Sequence, residues 1–499
     1  MKAILPTETE QGSAYDILPM KLRLCRVIAT LLVCQPAMVQ PSAVAADRPN
    51  IVVMLADDLG WRDLGCTGNQ DHRTPYLDRL ARQGMSFTGA HAAAPICSAS
   101  RAALLTGQSP ARLHYEFVPK FDAGRQQGPW PLLTPDYPTE LPAATPMIAT
   151  ALRAAGFATG FCGKWHLNRH QGHYLGWRPG CGPADFGFEH CVDDFGGHPY
   201  GYPKEGAPPP VAAGGFPTDR LTDGAIDFIR RDHGKPFLLW MSYYYVHDPF
   251  HSRCADRVAW HLARLPAGAD PKRARYAAMV ETLDHEVGRL LDALEASGKS
   301  SNTLVIFTSD NGGHPEVSAN GPLRGSKWNL YQGGLRVPLI ARWPGRVAAG
   351  STCADTVIGT DLAATVLDVA GVSPVSACDG VSLLPRLKGD ATAPTVPERA
   401  LIWHFPFYQP ETRYEQARRE TGVNDFAISQ TQPQACIRSG KWKLIHHFES
   451  GRDELFDLGS DPSEARDLSV SEPARAAALR AALLEQLTAS GARLPRPKS

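Results

Sequence analysis

The chain has 499 residues, with 51 Lys and Arg against 51 Asp and Glu and 43% hydrophobic residues. A chain of that size can bury a large core and divide into two domains, and its balanced charge argues against nucleic acid as a partner. Beyond the leader described next, no stretch approaches the roughly 20 consecutive apolar residues of a membrane span.

The N-terminus reads as an address. Met20-Lys21-Leu22-Arg23 opens a basic run, Val27 to Cys34 is apolar, and small residues follow at Ser42-Ala43-Val44-Ala45-Ala46, the three parts of a secretory signal peptide within residues 1–46. Residues 1–19 fit none of these parts, which makes Met20 a candidate true start. The expected location is exported, periplasmic or secreted. Cys25 and Cys34 leave with the leader. Among the other cysteines of an exported chain, Cys181/Cys191 and Cys353/Cys378 are the local pairs to test for disulfides.

Taken in order, several apolar runs stop abruptly at polar residues. Ile51 to Leu55 runs into Asp57-Asp58, and a helix is predicted over Thr74 to Gln83. A second helix begins near Arg101, with Ser98 or Ser100 as its N-cap and Cys97 at its mouth. After a helix over Met147 to Ala155, Gly156 to Phe161 leads to Lys164-Trp165-His166. A helix over Asp219 to Arg231 precedes Phe237 to Met241, which leads through Tyr243-Tyr244-Tyr245 to His247. A long helix over Arg275 to Ser297 precedes Thr303 to Phe307, which ends in Asp310-Asn311-Gly312-Gly313. Continuous apolar strands separated by helices predict an α/β fold with a large, mostly parallel sheet covered on both faces, over residues 47–383. In such sheets ligands bind outside the carboxyl ends of the strands, and four strands carry polar residues there. Residues 384–499 predict a smaller α+β domain. Its short antiparallel strands lie at Ala435 to Arg438, Gly440 to Ile445 and Asp453 to Leu458, followed by a helix over Ala474 to Ala489.

Asp57, Asp58, Asp310 and Asn311 offer only oxygen ligands, which suits calcium or, less well, magnesium. Each pair alone is an ordinary turn sequence, but two such pairs on strand ends far apart in the chain carry more information. Lys164, His166, His247 and Lys327 form a cationic half, with Lys327 in the glycine-containing loop Asn320 to Lys327. Free backbone N–H groups at the helix mouth favour an anion and would lower the pKa of the Cys97 thiol.

These residues resemble the type I, formylglycine-dependent sulfatases of the alkaline-phosphatase superfamily, with an arylsulfatase-like pattern. The resemblance runs from about Pro49 to Leu468. Cys97-Ser98-Ala99-Ser100-Arg101, continued by Ala102 to Gly107, is similar to the sulfatase signature, and Gly163-Lys164-Trp165-His166-Leu167 to its second one. Ala56-Asp57-Asp58, Ser309-Asp310-Asn311-Gly312 and Gly333-Gly334-Leu335-Arg336-Val337-Pro338 match further family motifs. The resemblance implies an alkaline-phosphatase-like mixed sheet and a Cys97 oxidised by a formylglycine-generating maturation enzyme to an aldehyde that hydrates to a diol. It implies one calcium ion held by Asp57, Asp58, Asp310, Asn311 and the diol at position 97. A diol hydroxyl would attack sulfur, with Arg101 and His166 orienting the diol and Lys164 and Lys327 neutralising the sulfuryl oxygens. His247 or Lys327 would assist the departing alcohol, and the second hydroxyl would then expel sulfate.

The chain departs from the family pattern at Ala99, where proline is common in the maturation signature, and at Gln332, where glutamate is common. Gln332 is therefore left out of the site. Export favours a sulfated carbohydrate among sulfated small molecules and glycans. His314, Trp403 and His404 are the candidate substrate contacts, with Tyr243, Tyr244, His251, Phe405 and Tyr408 as further aromatic or basic positions. Two other readings compete: a phosphate or phosphonate monoester hydrolase on the same scaffold, and a non-catalytic sulfoglycan-binding protein if Cys97 stays a thiol.

Overall fold

The computed structural model describes residues 48–498, apart from 121–123, 170–174, 178, 194–209, 375–376, 390–398 and 410–430. The expected leader lies outside the described residues. The strands are β1 (Asn50–Ala56), β2 (Met85–His91), β3 (Leu132–Leu133), β4 (Ala158–Gly163), β5 (His190–Val192), β6 (Phe237–Ser242), β7 (Thr303–Ser309), β8 (Leu339–Arg342) and β9 (Ser351–Ile358), then β10 (Leu401–Phe405), β11 (Gln434–Ser439), β12 (Trp442–His447), β13 (Asp453–Asp457) and β14 (Arg496–Pro497). The helices are α1 (Pro75–Gln83), α2 (Cys97–Thr106), α3 (Pro110–Leu113), α4 (Ile148–Ala154), α5 (Arg220–Arg230), α6 (Ala255–Leu262), α7 (Lys272–Ala296), α8 (Gln332–Leu335), α9 (Thr360–Val369), α10 (Leu384–Leu387) and α11 (Pro473–Ala489).

Eight strands form one sheet in the order β5-β4-β6-β1-β7-β8-β2-β9, and within it β8 alone runs against its neighbours. β1, β6 and β7 are apolar on both faces because both faces are covered. Successive side chains of β1 alternate between two layers. Ile51, Val53 and Leu55 pack with residues of α2, α4 and α9, whereas Val52, Met54 and Ala56 pack with α1, α5 and α7. Apart from the one near Arg101, the predicted helices appear within three residues of their expected limits, and Asp219 caps α5 by accepting a hydrogen bond from the Leu221 N–H at 2.9 Å.

The second sheet is an antiparallel meander, β10-β11-β12-β13. Leu401, Trp403, Phe405, Cys436, Ile445 and Phe456 on one face share a core with Ala93, Cys97 and Ala99, while Ile437, Leu444 and Leu455 on the other pack on Leu483 and Leu487 of α11. The helix bearing Cys97 is thus wedged between the two sheets.

Two expectations are corrected. α2 starts at Cys97, and its N-cap is Ile96, in extended backbone with no side-chain cap; Ser98 and Ser100 lie inside the helix and are buried. None of the nine cysteines of the described residues is in a disulfide, so neither Cys181/Cys191 nor Cys353/Cys378 is bridged. The Cys181 thiol donates to Glu140 at 3.2 Å and that of Cys191 to the Phe188 carbonyl at 3.6 Å. Cys353 is buried within β9, whereas Cys378 sits beside the turn at Gly107. Among the described residues, no helix is long and apolar enough to cross a membrane.

Candidate active site

The strands β4, β6, β1 and β7 are adjacent and parallel, so their carboxyl ends open on the same edge. Asp57 and Asp58 follow β1, Lys164 follows β4, His247 lies five residues past β6, and Asp310 and Asn311 follow β7. β4 approaches β6 closely because Gly163 is glycine: it takes φ +106°, and a Cβ there would collide with the Ser242 carbonyl. Three residues that are not glycine, Asp58, His166 and Trp328, take left-handed backbone angles of 59°, 58° and 78°. Such conformations cost about 1–3 kcal/mol each and cluster where side chains must be aimed.

Ligand atoms of Asp57, Asp58 and Asp310 lie within 4.8 Å of one another, as do those of Asp57, Cys97 and His247. Lys164 Nζ lies 2.5 Å from Asp57 Oδ2, and Lys327 Nζ 2.5 Å from Asp58 Oδ2 and 3.3 Å from His247 Nε2. Arg101 Nε and Nη2 both lie 2.8 Å from Asp310 Oδ2, and Nη1 donates to the Lys164 carbonyl at 2.9 Å. Asn311 Nδ2 donates to Asp58 Oδ1 at 2.8 Å. His166, two residues past Lys164, is buried.

Burial shapes every charge here. It would raise the Asp58 pKa, but Lys327, His247 and Lys164 overcome it and hold that carboxyl well below its usual range. Asp310 is pushed up to about 7 by burial and by Asp57, against the pull of Arg101. Burial would discharge Lys164 and Lys327, but Asp57 and Asp58 raise both above the ordinary lysine value. Burial and Lys327 lower His247. The Cys97 thiol is raised by burial despite Lys164 and Lys327, which corrects the expectation of an activated thiol at the helix mouth.

The residues fit a hard cation. Asp57 Oδ1 and Asn311 Oδ1 are buried and accept no hydrogen bond among the described residues, although Arg101 Nη2 stands 3.4 Å from the former. Buried acceptors left unmet at the same edge as three carboxylates are the donor set such an ion takes. Three carboxylates face Arg101, Lys164 and Lys327, so a divalent ion would leave the site two units positive, the sign an anionic ester requires.

The chain matches the sulfatase family model over residues 49–372 and a second model, described as N-sulphoglucosamine sulphohydrolase, C-terminal, over residues 326–492. The chain belongs to the sulfatase family. This sulfatase is 34% identical over 485 residues to the N-acetylgalactosamine-6-sulfatase of Mus musculus, covering 89% of this chain and 86% of that one. It is 31% identical to the arylsulfatase A of Bos taurus, covering 89% and 88%. Among solved structures, Ps i-CgsB, also crystallised in complex with k-i-k-neocarrahexaose, matches with a TM-score of 0.69 at 26% identity, over 88% of this chain and 93% of its own. The sulfatase is accordingly a sulfuric ester hydrolase.

The three candidate substrate contacts, His314, Trp403 and His404, are all buried. His314 feels the charges of Asp248, Lys327 and Asp58, but its ring packs on Phe250 at 5.0 Å and on Trp328 at 5.6 Å, and burial lowers its pKa to about 3. Trp403 and His404 are corrected from rim to core. Trp403 is buried against α2 and donates to the Ala92 carbonyl at 2.8 Å, while His404 on the opposite face of β10 bonds the Arg493 carbonyl at 2.9 Å. Both faces of that sheet are covered, so neither side chain reaches a cleft. Tyr243, Tyr244, Phe405 and Tyr408 are buried too.

Sequence reasoning missed two hydroxyls that tie the site together. Ser242 Oγ accepts from Arg101 Nη1 at 2.5 Å and donates to the Lys164 carbonyl at 2.7 Å. Ser309 Oγ accepts from the Leu59 N–H at 3.0 Å and donates to the Asn311 carbonyl at 3.1 Å. Each closes a fully buried apolar strand, and that placement was the available signal.

Proposed function

We propose that this sulfatase is exported and hydrolyses a sulfate monoester on a sulfated carbohydrate, using a formylglycine made from Cys97 by a maturation enzyme and one calcium ion. The convergence of Cys97, Asp57 and His247 within 4.8 Å, flanked by two lysine–carboxylate pairs, carries this reading. Asp57, Asp58, Asp310 and Asn311 would hold the ion, whose donors are all hard oxygens. The hydrated aldehyde would supply a hydroxyl nucleophile that the ion acidifies, and a second hydroxyl through which the sulfate ester can be released.

Lys164 and Lys327 would bind the sulfuryl oxygens from opposite sides, held charged by Asp57 and Asp58. Arg101 would orient residue 97 from within the same helix, with its guanidinium held by Asp310, Ser242 and the Lys164 carbonyl. His166 would orient the same residue from the β4 end. His247 Nδ1 lies 2.6 Å from the Asp248 carbonyl, so it donates there and leaves Nε2 facing Lys327. These two groups would present the proton to the departing alcohol oxygen.

The carbohydrate reading draws support from relatives named for an N-acetylgalactosamine 6-sulfate and from the Ps i-CgsB complex with k-i-k-neocarrahexaose. Sulfate release from a panel of defined sulfated oligosaccharides tests it, with nitrophenyl sulfate and nitrophenyl phosphate as references. Faster turnover of the phosphate than of any sulfate would overturn the reaction class. Mass spectrometry of the peptide bearing residue 97 tests the aldehyde, and an intact thiol in fully active protein would rule it out.

A further inference from the structure

Lys327 sits on a loop whose tip and base are held by different parts of the chain. At the tip, the Lys327 N–H donates to the Gly313 carbonyl at 3.0 Å and the Trp328 N–H to the Pro95 carbonyl at 2.8 Å. At the base, the Gly333 N–H closes the loop on the Arg324 carbonyl at 2.7 Å, and a Cβ on Gly333 would collide with the Gly325 carbonyl. Both strands of this base are then gripped by the C-terminal region. Glu464 is fully buried, takes a left-handed backbone angle of 59°, and accepts the Gln332 N–H on Oε2 at 2.6 Å. Its carbonyl accepts from Arg324 Nη1 at 3.4 Å, and Oε1 pairs with Lys443 Nζ of β12 at 2.6 Å. Glu454 of β13 adds a second grip, receiving the Tyr331 hydroxyl and standing 3.6 Å from Arg324, whose guanidinium lies 4.2 Å over the Tyr331 ring.

We infer that Glu464 is a positioning residue for the reaction: it staples the base of the Lys327 loop to the small sheet and so fixes the ammonium against Asp58 and His247. A carboxylate that only stabilised the C-terminal sheet would need the Lys443 pair alone. Here one oxygen serves the pair, while the other oxygen and the strained carbonyl reach the two sides of one loop. Buried charge pairs contribute little net stability, so geometric restraint is the better reason for this one. The inference rests on the role proposed above for Lys327.

The test compares two charge-neutral double variants of the full chain. Lys443→Gln/Glu464→Gln keeps an oxygen for the Gln332 N–H and an amide partner across the pair; Lys443→Met/Glu464→Leu removes both. Expected at a temperature where each is folded is a kcat on nitrophenyl sulfate within about threefold of native for the amide pair and about tenfold lower for the apolar pair, with KM changing less than kcat. Rescue by the amide pair is the readout that a merely structural role would not give. Arg324→Met, on a partly exposed side chain, loosens the same base should the apolar pair fail to fold, and is expected to lower kcat about fivefold. Lys327→Ala separates the two readings. If it lowers kcat by about 10²-fold or more while the apolar pair and Arg324→Met retain native kcat, the staple is wrong and the site stands; if it retains native kcat, both fall.

Discussion

In the large sheet β4, β6, β1 and β7 run side by side in one direction, so whatever follows each strand is delivered to the same edge; in the small sheet β10 to β13 alternate direction and have both faces covered. The same residue types therefore meet different fates. Asp57, Lys164, His247 and Asp310 arrive together at the parallel edge, whereas Trp403, His404, Lys443 and Glu454 of the meander are absorbed into packing and tethers. Chain direction sorts polar residues in the first case, and side-chain partners sort them in the second.

The sharpest way to break that contrast is at residue 97. Cys97→Ala is expected to lower kcat on nitrophenyl sulfate by about 10⁴-fold or more, as loss of a nucleophile does elsewhere. Residual activity above about 1% would show that the parallel edge does not carry the chemistry. Chelation is expected to come next. Prolonged EDTA treatment should abolish turnover, calcium should restore it better than magnesium, and the melting temperature should rise with calcium concentration, by about 2.7 kcal/mol of stabilisation at a hundredfold excess over Kd. A melting temperature indifferent to calcium would leave Asp57 Oδ1 and Asn311 Oδ1 without the partner argued for them.

Lys164→Ala and Lys327→Ala should each lower kcat by about 10²–10³-fold, the usual effect of deleting one preorganised electrostatic partner. Each also strips a buried carboxylate of its cation, at a cost of about 3–5 kcal/mol. Calcium should recover that stability without recovering kcat, and recovery of both would reduce the lysines to structural counter-ions.

The contrast also explains what could be seen in the sequence. Apolar strands ending in Asp57-Asp58, Lys164 and Asp310-Asn311 announced both the parallel sheet and the edge where these charges gather, because a buried strand needs no charge at its end. Helices were legible from their apolar faces. The start of α2 was not: Ser98 and Ser100 have the chemistry of N-caps, but the extended backbone at Ile96 begins the helix earlier, and packing between the two sheets buries both serines. Glu464 was invisible because its partners, Arg324 and Gln332, lie more than a hundred residues away. Trp403-His404-Phe405 misled for a related reason. An aromatic and a histidine in alternation suit a half-exposed rim strand, and nothing local tells that α11 covers the outer face.

His404 offers the smallest and most discriminating test, because it distinguishes a core histidine from a substrate contact. Its Nε2–H donates to the Arg493 carbonyl, while Nδ1 is buried with no hydrogen-bond partner among the described residues, and burial lowers its pKa to about 4. Between about pH 6.5 and 4 the unfolded chain binds a proton that the folded chain refuses, so this histidine's contribution to stability is complete above the unfolded value and falls as the pH drops through that window. The full loss below pH 4 is about 3 kcal/mol. His404→Gln can keep a donor for the Arg493 carbonyl but cannot take up a proton. Its denaturant-unfolding free energy should therefore fall less than native between pH 7 and pH 5, with kcat and KM on nitrophenyl sulfate and on the preferred oligosaccharide unchanged. A KM raised more than a few-fold on the oligosaccharide alone would put His404 back at the substrate rim, and the small sheet would then deliver residues to the site as the large one does.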